Sequence, residues 1–465
     1  RTCALRFRSP RRPEAGSGTM VSLDQRYLRF RDATAGVFAS TPELESLRHL
    51  VFKELLVRRR GAGAVDVARH LARGLLRRPR PAGPLRPAEV LLWVESTRSE
   101  FAQTILPLRT ELEARAVSTQ VVAGSGVQDV PSGAHRIAPR IRLRAPRWAR
   151  RGWAELTRVE PELSAPSLRR AFLLASCSAD GLHRELQRVV REVRPQVVVN
   201  ANATLRGGAA LAVETRRAGA TGLTLQHGIP QAFYTPVLDD AMLTWGEASN
   251  EVLAALGVPC ERLVVVGSPR HDGFEPADPS AAKAKLCESL GLPVRPTLVF
   301  FSNGNDLDRN GSAPAECARW LEAAAARAPG ATIVVRLHPN ESGELYAGCD
   351  HLTLTKGTPD LETTLAGADV VSSLCSTVLY EGLLYRKPVW QLHADGWPEL
   401  ADTWRQGLAT RVGSETELCV LVAELGGGAR PGAPGSALVD RVFANRARAA
   451  ARAAEVVESA ARRRG

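Results

Sequence analysis

Short uninterrupted apolar runs alternate along this chain with longer stretches in which apolar residues recur every three or four positions. The runs at 90–94, 117–122, 197–200, 223–226, 241–245 and 263–266 have strand length and are apolar on both faces, the pattern of strands buried in a parallel sheet. A second set follows at 297–301, 332–336, 352–355, 368–371 and 389–392. Between these runs, residues 101–114, 167–193, 248–256, 315–326 and 361–366 carry helical spacing. The alternation predicts an α/β chain of two doubly wound, Rossmann-like domains facing a cleft. Residues 20–80 read as a helical extension, with Thr41-Pro42-Glu43 as an internal start signal. The expected division is a disordered leader at 1–19, the extension and a Pro-rich linker at 20–87, domains at 88–258 and 259–425, and a linker and helix at 426–465. Residues 124–151 read as a basic loop.

The unusual polar residues cluster where strands end, and in open α/β sheets ligands bind at the carboxyl ends of strands. After the run at 368–371 come four hydroxyl residues, Ser372, Ser373, Ser376 and Thr377, then Glu381 about one helical turn further on. A helix starting there offers N–H and O–H donors to an anion, and Glu381 is placed to meet a neighbouring diol, as in a nucleoside diphosphate. The plainer reading is a capped amphipathic helix. His338-Pro339 follows the run at 332–336, which ends in Arg336; Pro339 fixes the turn and holds the imidazole at the strand end, within reach of a base, ribose or phosphate. Gly304, in Asn303-Gly304-Asn305-Asp306, permits close approach of backbone N–H groups to an anion. In Gln226-His227-Gly228, His227 titrates near neutrality and suits removal of a proton from an attacking hydroxyl, or else is a turn histidine bonded to backbone. Glu95, Glu247, Asp239 and Asp240 are alternative carboxylates. Arg270, after Gly267-Ser268-Pro269, bridges to a phosphate or pairs with an acid across the domain junction.

Charge changes this picture in one respect. Residues 1–154 hold 29 basic and 13 acidic side chains, and the remainder 32 and 36, so the net charge of +12 sits in the first third. With aromatics at only 5% and no stacking motif, nucleic acid is not the expected partner. An anionic membrane surface or a phosphorylated acceptor fits better. No run approaches 18 apolar residues. The eight cysteines are scattered, without a C-x-x-C pair, so neither a disulfide framework nor a zinc site is expected and a reducing cytoplasm is the default compartment.

The segments LQHGIP (225–230), VVVGSPRHD (264–272), VVRLHPN (334–340) and DVVSSLCSTVLYEGLLYRKPV (369–389), in this order, resemble the GT-B-fold transferases of bacterial surface carbohydrate. These include capsule polysaccharide transferases and CDP-glycerol glycerophosphotransferases, with kinship to the non-hydrolysing UDP-GlcNAc 2-epimerases. The resemblance spans about 90–424. It implies His227 as a candidate base, His338 at the nucleotide, Ser376 and Thr377 on donor phosphates, Glu381 on the ribose, and a reaction needing neither a bound metal nor a cofactor. It further implies an acceptor domain followed by a nucleotide-donor domain, and transfer of a sugar or polyol phosphate from a nucleotide-activated donor to a polysaccharide or lipid-linked acceptor. A nucleotide-sugar epimerase and a non-catalytic nucleotide-binding protein are the alternatives. The helical extension, and HGIP in place of the glycerophosphotransferases' HGTP, set this chain apart.

Overall fold

The computed structural model describes residues 23–63, 65–69, 72, 83–95, 99–125, 127, 132–275, 277–303, 313–394 and 403–463. Seven strands make the first sheet: β1 (Val90–Val94), β2 (Thr119–Ala123), β3 (His135–Arg136), β4 (Val197–Asn200), β5 (Thr221–Leu225), β6 (Ala241–Thr244) and β7 (Leu263–Val265). Their order is β3-β2-β1-β4-β5-β6-β7. The second holds β8 (Thr297–Phe301), β9 (Thr332–Arg336), β10 (Thr353–Thr355), β11 (Val370–Ser373), β12 (Val389–Leu392) and β13 (Thr410–Val412), in the order β10-β9-β8-β11-β12-β13. Every pairing is parallel. β1 and β8 are buried at every position, because helices cover both faces of each sheet. In both sheets the winding reverses in the middle, between β1 and β4 and between β8 and β11, and such a reversal leaves a crevice beyond the strands' carboxyl ends.

Three expectations change. The boundary at 258 falls inside the first sheet, because β7 pairs with β6; the second sheet begins only at Thr297. The basic stretch 124–151 is not all loop. It contains β3 and the start of an Arg147–Val159 helix, whose inward stripe of Ala149, Gly152, Trp153 and Leu156 is interleaved with arginines. The helix expected after 425 packs on the first unit, while the segment leading to it, with Val439 and Val442, also meets Leu379 and Leu383 of the second. In the Ala449–Arg462 helix, Ala453, Ala454, Val457 and Ala461 join the apolar cluster of Val90, Ile105 and Val199. The Asp272 carboxylate accepts from the N–H groups of Ala449 (2.8 Å) and Ala450 (2.6 Å), satisfying two donors that a helix leaves open at its start. Gly267, at φ +95°, makes room for this crossing, since a Cβ there would stand 2.2 Å from Ala444 O. The leader at 1–19 and most of the linker at 77–87 lie outside the described residues.

The extension folds as a helix, Leu23–Ser40, a 3-10 turn, Pro42–Leu47, and a π-helical segment, Leu50–Val57. Tyr27 packs against Phe233 (ring centroids 4.5 Å apart) and Phe52 (5.2 Å), and its hydroxyl donates to Thr235 O at 2.6 Å. Each such buried aromatic contributes about 1.5–3 kcal/mol. The extension therefore grips the segment just beyond β5, where the candidate chemistry begins.

Candidate functional site

On the first unit's wall, His227 follows β5. Gln226 fixes the turn: its Nε2 donates to Gly228 O and Ser249 Oγ (both 2.9 Å), and its Oε1 accepts from Trp245 N (2.8 Å). The half-buried imidazole stacks on Tyr234 (centroids 5.3 Å apart, 17° between planes) and lies 5.0 Å from the Phe101 ring. Asn202, just past β4, has its Oδ1 pinned by Thr204 N (2.8 Å), Thr204 Oγ1 (2.7 Å) and Leu205 N (3.1 Å). Its Nδ2 therefore faces His227 Nε2, at 3.3 Å. A neutral imidazole receiving that donor holds its lone pair on Nε2 and its proton on Nδ1. The Tyr234 hydroxyl lies 3.3 Å from the ring nitrogens, and burial raises its pKa well above the ordinary value, so it stays protonated.

Glu95, the alternative base, is spent on the fold. Its carboxylate accepts from Trp93 Nε1 (2.7 Å), Gly207 N (3.0 Å) and Gly208 N (2.7 Å), holding the first turn of the Arg206–Arg217 helix. Burial pushes its pKa up, and these three hydrogen bonds oppose the shift. Asp239 is likewise interior, accepting from Asn200 Nδ2 (2.5 Å) and Thr224 Oγ1 (2.6 Å).

The opposite wall is the β8/β11 reversal. Ser373 is fully buried and donates to Phe301 O (2.8 Å) and Asn303 Oδ1 (3.1 Å). Asn303 also holds the Cys375 peptide from both sides, accepting from its N–H (3.3 Å) and donating to its carbonyl. Ser373 thus fixes the loop, while Ser376 and Thr377 beyond it are half-buried. The two walls meet here: a Cβ on Gly228 would stand 3.2 Å from Thr377 Oγ1. Gly304 lies outside the described residues.

Beside this wall, the His338 N–H donates to Ser302 Oγ (2.7 Å) and Glu341 Oε2 (2.9 Å), which seats the His338-Pro339 turn. The ring's Nδ1 accepts from Asn340 N at 3.2 Å, so a neutral ring carries its proton on Nε2. Pro339 is exposed at that turn.

Two predicted phosphate ligands are engaged elsewhere. Arg336 donates to Pro359 O and to Thr364 Oγ1 (2.9 Å), away from the reversal, and burial lowers its pKa. Arg270 takes the other course foreseen for it, an acid across the junction. It is paired with Glu381, both side chains being about nine-tenths buried (11% and 7% exposed). Glu381, expected at a ribose diol, is held by Arg270 here. His271 accepts from Arg270 Nε at 3.1 Å and bonds Ser268 Oγ at 2.8 Å; burial, then the Arg270 charge, hold its pKa well below the usual range. Asn202, Tyr234 and Asn303 were not foreseen as site residues, although the two asparagines stand just past strands β4 and β8. No group of three His, Cys, Asp or Glu able to hold a metal is found among the described residues, which leave out Asp306 and Asp308.

Neither a protein-family model nor a curated protein matches the chain. Solved structures do. UDP-N-acetylglucosamine 2-epimerase from Rickettsia bellii is 14% identical over 80% of this chain and 96% of its own, with a TM-score of 0.51. The UDP-GlcNAc 2-epimerase of Methanocaldococcus jannaschii is 11% identical over 80% and 99%, with a TM-score of 0.50. The wall teichoic acid polymerase TagF is 12% identical over 86% and 99%, with a TM-score of 0.46. At such identities it is the architecture that is shared, and the chain has the GT-B-type fold of two Rossmann-like units facing a cleft.

Proposed function

We propose that this chain is an enzyme acting on a nucleotide-activated sugar or polyol phosphate, and that it transfers that group to a hydroxyl of a surface-polysaccharide or lipid-linked acceptor. The observation that carries the reading is the apposition of the His227–Gly228 turn to the Ser376–Thr377 loop across the cleft. In it, Ser376, Thr377 and His338 hold the donor's phosphates and nucleoside. The acceptor oxygen attacks the transferred group while its proton passes to Nε2 of His227, displacing the weak bond from Asn202. The bond to the donor phosphate breaks, and the nucleotide leaves with the electron pair, its charge met by the hydroxyls. The protein's share of this chemistry is positioning and proton transfer.

The solved structures with TM-scores of 0.50 and 0.51 bear the name of UDP-GlcNAc 2-epimerases, which makes a UDP-sugar the first donor to try and epimerisation the competing reading. Epimerisation calls for acid–base groups around the sugar ring. Among the described residues, Asn202, Tyr234 and Phe101 are neighbours of His227, and Glu95 is taken up in capping a helix. This favours transfer.

The test is incubation of the full chain with UDP-N-acetylglucosamine, with and without a lipid-linked or polysaccharide acceptor. Transfer predicts acceptor-dependent release of free UDP. His227→Ala should lower its rate about 10²–10⁴-fold, with nucleotide affinity unchanged. A changed sugar nucleotide formed without acceptor would replace this reading with epimerisation.

A further inference from the structure

The amino-terminal extension does not seal against the first unit. A groove of about 470 Å³ remains between the Leu23–Ser40 helix, the Arg206–Arg217 helix and the segments around Thr235 and Val258. That is the size range of small-molecule sites. Its charge is unbalanced, with Arg31, Arg48, Arg216 and Arg262 facing only Asp32 and Glu45. Glu45 is gripped by Arg48 through Nε and Nη2, both at 2.8 Å, and Asp32 accepts from Arg31 Nε at 2.8 Å. The other two arginines donate to carbonyls, Arg216 to Leu238 O (2.6 Å) and Arg262 to Val237 O (3.0 Å). Carbonyls satisfy N–H groups without cancelling charge, so the groove's lining carries two more positive than negative side chains, with the buried Asp239 behind Arg216. Arg48, only 5% exposed, is stacked on the Phe38 ring, its Cζ 3.7 Å from the centroid, and so contributes charge to the groove rather than a free donor. The remaining wall is apolar, from Ala35, Pro42, Val213 and Val258.

We infer that this groove binds a small organic monophosphate, a phosphate ester on a compact apolar body. A phosphate monoester carries close to two negative charges at neutral pH, matching the surplus, and guanidinium groups suit its oxygens. The apolar wall takes the body. The groove lies one residue from the platform of His227. Thr235 accepts from Arg31 Nη1 on its hydroxyl (2.8 Å) and from the Tyr27 hydroxyl on its carbonyl (2.6 Å), and it directly follows Tyr234, the platform of His227. The inference stands whatever reaction the cleft performs.

Calorimetric titration of the full chain tests it, with phenyl phosphate as probe and inorganic phosphate and phenol as its head and body alone. Phenyl phosphate should bind one to one, at least about tenfold more tightly than either fragment, and more weakly as salt rises. Arg216→Glu should weaken it at least about tenfold, by reversing a charge that faces the ester. Ala39→Trp, which fills the groove from an exposed position, should do the same. Both variants should remain folded, Ala39→Trp melting as the wild type does and Arg216→Glu somewhat lower through loss of its bond to Leu238 O. No binding of phenyl phosphate would overturn the inference, as would binding that neither variant changes. Inorganic phosphate binding as tightly as phenyl phosphate would overturn the assignment of an apolar body.

Discussion

Glu381 and Arg270 stand 111 positions apart in sequence and form a buried pair in the fold. Neither partner is accessible enough for solvent to replace the other. Removing one side of such a pair strands a charge in a poor solvent, at a cost of about 3–5 kcal/mol. Glu381→Ala should therefore lower the unfolding free energy by that amount in urea titration. A loss under about 1 kcal/mol would mean that the pair is solvated and dispensable. The same pair marks what the chain does and does not reveal residue by residue. His227, His338, Ser376 and Thr377 are legible as site candidates because each follows an apolar run and so must lie at a strand end. The partners of Glu95, Arg336 and Glu381 are not legible, because each is met through the tertiary fold: two backbone N–H groups of a distant helix, a loop carbonyl with a helix hydroxyl, and an arginine from the other unit.

At the scale of elements, strands were readable to within one or two residues wherever both faces are apolar. β3, two residues long, and the Arg-rich Arg147–Val159 helix were not, because their apolar positions are few and flanked by charge. The return of the Ala449–Arg462 helix to the first unit was also hidden, since an alanine stripe names no partner. The first sheet has one titrating weakness. Burial raises the Asp239 carboxyl to about 6, above the value of about 4 of an unfolded chain. Between those values the folded protein keeps a proton that the unfolded chain has released. Asp239 thus stabilises the fold most below about pH 4, and that contribution is lost as pH rises through 6. The difference amounts to about 3 kcal/mol. Asp239→Asn stays neutral and can still accept from Asn200 and Thr224. Urea unfolding at pH 4 and pH 7.5 should show wild type losing stability relative to this variant by about that much. Parallel pH dependences would contradict the assignment.

For the whole molecule, charge and architecture bear on function together. No acidic residue interrupts the chain between Asp129 and Glu155, and Arg140, Arg142, Arg144, Arg147, Arg150 and Arg151 are exposed on the first unit. Among the described residues no helix is long and apolar enough to cross a membrane. Attachment at an anionic lipid surface, with up to about 1 kcal/mol from each arginine near the headgroups, would bring a lipid-linked acceptor to the unit that carries His227. Co-sedimentation should rise with the anionic lipid content of vesicles and fall with salt; equal pelleting with neutral vesicles at high salt would contradict it. The central claim is a division of labour, in which the second unit holds a nucleotide and the first brings the base. It is tested most directly by titrating UDP, CDP, GDP, dTDP and CMP into the full chain and into two variants, His227→Ala and Thr377→Val, with calorimetry as the readout. The account predicts that at least one nucleotide binds one to one, with affinity kept in His227→Ala and weakened by about 0.5–1.5 kcal/mol in Thr377→Val, the worth of one neutral hydrogen bond. Failure of every nucleotide to bind the wild type, or binding lost with His227 and kept without the Thr377 hydroxyl, would contradict it.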